Sequence, residues 1–147
     1  MADIIITILG SILGAFIGVW LSNCSARKRF KEEREDILNA LLESIHKNIG
    51  LINQIENLHL PNNEMPTFPF DTASFGYIAL SARRYLPKGT NWSKKYNGLR
   101  FELDHINRKI LVYLFVPNED QLKGITTLIN NVRLQLETEA EALSKLK

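Results

Sequence analysis

NWSKKYNGLRFELDHINRKILVYLF, residues 91–115, is the stretch on which the fold turns, because its last third admits two readings. The run Ile110-Leu111-Val112-Tyr113-Leu114-Phe115-Val116 is rich in β-branched and aromatic residues and taken alone would suit a strand. The longer pattern favours a helix. Trp92, Tyr96, Leu99, Leu103, Ile106, Ile110 and Tyr113 recur at alternating intervals of four and three. At ~100° per residue, that places all seven on one side of a helix. No segment alternates apolar and polar residues long enough to require a strand, so the expected fold class is all-α.

On the C-terminal side, Pro117-Asn118 marks a turn, and residues 118–146 repeat the pattern with Leu122, Ile125, Ile129, Val132, Leu136, Leu143 and Leu146. On the N-terminal side, Thr90 or Asn91 is a cap, and Pro87-Lys88-Gly89 closes a short helix over residues 71–86 that opens at Asp71 or Thr72. Pro61, Pro66 and Pro69 make the preceding segment the main loop, since each removes a backbone donor and biases its predecessor away from the helical region. Residues 27–60 form the first amphipathic helix. Its stripe is Leu38, Leu42, Ile45, Ile49 and Ile52, widened by Ile37, Leu41 and Ile55. So broad an apolar face expects two neighbours. Short connections between periodic helices imply antiparallel packing, so residues 27–147 read as a bundle of three long helices and one short one. With about 120 residues, such a domain can bury one core.

Residues 4–26, IIITILGSILGAFIGVWLSNCSA, carry no charge. As a helix they measure ~34 Å, against a hydrocarbon core of ~30 Å, so they read as a transmembrane anchor. Arg27, Lys28, Arg29, Lys31 and Arg34 follow the span and no basic residue precedes it. The expectation is a single-pass protein of the cell membrane with its N-terminus outside and the helical domain in the cytoplasm. Met1-Ala2-Asp3 lacks the basic start of a cleaved signal peptide. Cys24, preceded by Asn23, is a poor lipoprotein site, and as the only cysteine it can form no intramolecular disulfide. Gly10, Gly14, Gly18 and Ser22 line one groove of the span, a packing surface for a second copy or another membrane helix. Trp20 falls near the cytoplasmic boundary, where indoles are at home. No proline or glycine interrupts the chain between Val19 and Lys47, so the anchor is expected to run on into the first bundle helix.

Taken in order, an anchor, a basic boundary, an amphipathic helix, a proline-bearing loop, Pro69-Phe70-Asp71-Thr72-Ala73-Ser74-Phe75, and later Tyr96 and Ile106-Asn107, the chain resembles small prokaryotic single-pass proteins that remain uncharacterised. The resemblance implies an anchored helical domain and assigns no catalytic residue.

The chemistry-bearing patterns are few. Glu43 with His46, and Glu102 with His105, repeat the Glu-x-x-His spacing of di-iron bundles. Yet His105 points roughly 140° from its helix's stripe and Glu43 roughly 150° from its own, so neither pair converges on a core metal. His59 has no companion at ligand spacing. Ser74, Ser81 and Ser93 lack a nucleophile-elbow context, and no phosphate loop or dinucleotide fingerprint occurs, so neither a catalytic site nor a cofactor is expected.

Charge is the remaining signal. The net charge is only +2, but no acidic residue lies between Asp71 and Glu102. Arg83, Arg84, Lys88, Lys94, Lys95 and Arg100 accumulate there among Tyr77, Tyr85, Trp92 and Tyr96. Such a surface draws anions, with lipid headgroups or an acidic protein ahead of nucleic acid, for which no reader motif is present. The bland alternative is a solvated basic face around core aromatics. The functional expectation is a non-enzymatic, membrane-anchored interaction or scaffold protein that binds a partner or itself. The alternative is an anchored sensor or enzyme acting on an anionic ligand through residues 83–100.

Overall fold

The computed structural model describes residues 2–57, 70–89 and 91–146; side chains are described from Gly14 to Ile55 in the first of these stretches and throughout the others except Ser93. Among the described residues there are four α-helices and no strand: α1 (Ala2–Asn57), α2 (Thr72–Ala82), α3 (Trp92–Phe115) and α4 (Glu119–Ser144), with a 3₁₀ turn at Arg83–Tyr85. The ambiguous run at the end of α3 is helical to Phe115. His59 and the proline-bearing loop lie outside the described residues.

Each later helix starts where a side chain accepts an otherwise unpaired backbone N–H. Asp71 accepts from Ser74 at 3.1 Å, Asn91 from Lys94 at 3.3 Å, and Asn118 from Asp120 at 2.8 Å. Glu119 and Asp120 in the first turn of α4 add charge favourable to its positive end. Between α2 and α3 the chain reverses at Gly89, whose φ of 101° a side chain would strain.

The chain divides into two compact units, Met1–Asp36 and Ile37–Lys147. In the first unit the surface of α1 carries exposed pairs Lys28–Glu32 (3.8 Å) and Lys31–Glu35 (4.0 Å), each worth only a few tenths of a kcal/mol. Phe16, Ile17, Val19, Trp20 and Leu21 are all exposed, as is the Cys24 thiol. A Cβ built on Gly14 or Gly18 would meet nothing within 4 Å. Ser22 is exposed, and Gly10 lies outside the described side chains. Among the described residues no helix is long and apolar enough to cross a membrane. From Gly14 onward the apolar run is short before Arg27, Lys28 and Arg29 end it, and the side chains of residues 4–13 are outside the description. The described residues therefore do not support the expected transmembrane segment.

In the second unit, α3 buries the face that its periodicity marks, from Trp92 to Tyr113. The seam of α4 is Ile125, Ile129, Val132, Leu136, Glu139 and Leu143, so a carboxylate fills the step that the apolar stripe skips. α1 differs from its expected stripe. Leu38, Leu41, Ile45, Asn48, Ile52 and Ile55 are buried, whereas Leu42 and Ile49 are only half-buried. The face is rotated toward Leu41 and Ile55, and Asn48 enters the core with its amide donating to the Ser44 carbonyl at 2.9 Å. An apolar arc this broad leaves its rotation to the neighbours it packs against.

Cross-links fix direction and level. Glu102 accepts from Gln135 at 3.0 Å and Tyr96 reaches Glu139, so α3 and α4 run antiparallel. At the start of α2, Asn107 Oδ1 accepts from the Phe70 N–H at 2.7 Å while its Nδ2 donates to the Phe70 carbonyl at 3.0 Å. This two-point clasp joins two of the motifs quoted for the resemblance. Lys47 reaches Asp71 at 3.5 Å and ties α1 to the same level.

Candidate functional site

The six cations of the basic segment do not form one equivalent surface. Arg83, Arg84, Lys88, Lys94, Lys95 and Arg100 are all exposed, but three of them are engaged within the fold. Lys95 pairs with Glu139, a residue only 5% exposed. Arg84 lies over Tyr85, its guanidinium carbon 4.7 Å from the ring centroid. Arg100 lies across Gly76, so closely that a Cβ there would come within 2.9 Å of its Cδ. Arg83, Lys88 and Lys94 are left facing solvent. Of the aromatics, Tyr77 is exposed, while Tyr85, Trp92 and Tyr96 are buried. Trp92 stacks on Tyr96 at 4.2 Å and Phe75 packs against the same ring at 6.1 Å, so these side chains serve the core first.

Behind this segment is a polar cluster. Tyr96 donates its hydroxyl to Glu139 Oε2 at 2.9 Å, and Lys95 meets Oε1. Burial first, and then the charge and acceptance of Glu139, hold the Tyr96 hydroxyl far above the usual tyrosine range, so it remains a donor. A carboxylate that accepts from two partners is compensated for its loss of water. Beside it, a cleft of about 60 Å³ lies between Ala79, Leu80, Arg83, Trp92, Tyr96 and Asn97. It has room for one or two waters but not for a metabolite.

A larger groove opens at the opposite end of the α3–α4 seam. It encloses about 330 Å³ and is lined by His105, Arg108, Lys109 and Val112 of α3 and by Gln121 and Ile125 of α4. On α3 these positions follow the i, i+3, i+4, i+7 rule for one helix face. Ile125 is buried at its floor, and Arg108 is held by Asp104 at 2.6 Å. Gln121 Oε1 is buried without a hydrogen-bond partner. Periodicity missed this groove because its α3 residues lie off the buried stripe. The only local hint was the Arg108-Lys109 pair next to apolar Val112.

The Glu-x-x-His pairs do not build a centre. Glu43, His46 and His105 are exposed, and Glu102 is committed to Gln135. Among the described residues no three His, Cys, Asp or Glu side chains gather as metal ligands. Comparison with models of protein families, with curated proteins and with solved structures finds no match for this chain.

Proposed function

We propose that the protein is a single-pass membrane protein without catalytic activity, whose helical domain acts as an interaction or scaffold module at the cytoplasmic face. The observation that carries the reading is the apolar surface of α1 in the first unit. Phe16, Ile17, Val19, Trp20 and Leu21 are each more than half exposed and point to several sides of the helix. At ~25 cal/mol per Å² of apolar surface, leaving such a sleeve in water is costly, and a bilayer covers all sides at once. Residues 4–13 extend the same uncharged run, which gives the anchor over residues 4–26.

Two features suit a module that binds a protein partner or a second copy. Gly14 and Gly18 have open space where another helix backbone could approach, in register with Gly10 and Ser22. At the end of α3, Leu111, Val112, Phe115 and the capping residue Val116 remain exposed together, a grouping more typical of contact surfaces than of scattered surface apolar residues. Arg83, Lys88 and Lys94 add a cationic face to which anionic headgroups would be drawn.

The test is membrane extraction combined with a reporter fused after Lys147. The full chain is expected to stay with the membrane in alkaline carbonate and to leave it only in detergent. A cytoplasm-dependent reporter should be active, and replacing Arg27, Lys28 and Arg29 with neutral residues should weaken that orientation. Release by carbonate, or a translocated C-terminus, would overturn the reading.

A further inference from the structure

The geometry points to a ligand site in the α3–α4 groove, and we propose that its ligand is a single-chain carboxylate: an alkyl chain ending in one anionic head. Its volume of about 330 Å³ lies at the lower end of the ~300–1,000 Å³ typical of small-molecule sites. One short chain fits this space better than the two chains of a phospholipid. Apolar floor and polar mouth are separated, as an amphipathic ligand requires. Ile125 is 1% exposed at the base, and Val112 forms a wall. Beyond Val112 the apolar surface continues outward through Phe115 and Val116, which are 78% and 61% exposed.

The charge at the mouth selects the head group. Lys109 is exposed and makes no ion pair among the described residues, while the Arg108 charge is largely offset by Asp104. Lys109 is therefore the cation available to a carboxylate, and exposed His105 supplies a second nitrogen at the same rim. Gln121 of α4 completes the polar side of the lining. All of the groove's lining residues belong to the second unit, so the site does not rest on the anchoring proposed above.

The experiment uses the full chain in phosphatidylcholine nanodiscs with a decanoic acid bearing a photoreactive diazirine near the chain end, with crosslinks located by peptide mass spectrometry. Labelling is expected in the peptides that contain Val112 and Ile125, displaced by excess decanoate and not by decylamine. Lys109→Glu, an exposed change, should reduce that labelling at least fivefold. Val112→Trp, which fills the groove from its exposed wall, should do the same. Crosslinks confined to residues 4–26, equal displacement by decylamine, or labelling unchanged in both variants would overturn the proposal. Loss of labelling when phosphatidylglycerol replaces phosphatidylcholine, with no loss of bulk probe partitioning, would assign the groove to a lipid headgroup and overturn it as well.

Discussion

The two ends of the α3–α4 seam treat a polar side chain in opposite ways. At one end Glu139 is buried but accepts from Tyr96 and pairs with Lys95. At the other, the Gln121 oxygen is buried with no partner beside an open groove. A satisfied polar group within a helix seam fixes which residues lie opposite each other, because any slip leaves a charge without partners. An unsatisfied one contributes no such register and lowers stability. The contrast is between these two side chains, since at the Glu139 end the Trp92 indole N–H is also buried without a partner.

The largest effect is expected at Glu139. Glu139→Ala should destabilise the full chain by about 3 kcal/mol, by opening a cavity and leaving the Tyr96 hydroxyl buried without its acceptor. Lys95→Ala should cost less, because Lys95 is 43% exposed and Tyr96 still serves the carboxylate. Replacing the cluster together, Glu139→Leu with Tyr96→Phe, should recover most of the loss. Denaturant unfolding measures all three, and an Glu139→Ala variant as stable as the parent would erase the contrast. This also bears on the basic segment: neutralising Lys95 disturbs the core as well as the surface, so vesicle binding is better probed at Arg83, Lys88 and Lys94.

A smaller effect of opposite sign is expected at Gln121. Gln121→Leu removes the orphaned oxygen and should stabilise the ligand-free protein by up to about 1 kcal/mol. A loss of similar size would mean that the amide is satisfied within the fold. The smallest effect concerns Asp71, which is polar and bonded but partly exposed. The Ser74 N–H first, and then Lys47, hold its carboxyl below the ordinary value of 3.8, against the opposing effect of burial. A lowered folded value means that the contribution is complete above 3.8 and is lost as pH falls through that lowered value. Asp71→Ala should therefore cost about 1 kcal/mol at neutral pH, with the gap to the parent closing in acid. A gap independent of pH would remove charge from the account of this cap.

The periodicity of residues 91–115 was enough to determine that α3 is a helix and which seven residues it buries, because a 3.6-residue repeat sustained over six turns outweighs a local β-branched run. The caps at Asp71 and Asn91 were legible to within one residue for a similar reason, since side chain and recipient N–H are three residues apart, whereas Asn118, which caps α4, read only as part of a turn. The rotation of α1 was not legible. Its apolar arc is wide enough to accept either Leu42 or Leu41 as its centre, and only the neighbouring helices select Leu41 and draw in Asn48. Nor could the chain alone show that Lys95 is neutralised, that Asn107 clasps Phe70, or that Lys109 and Gln121 face one groove. Their partners lie 44, 37 and 12 positions away, and helix packing alone determines which residues meet over such separations.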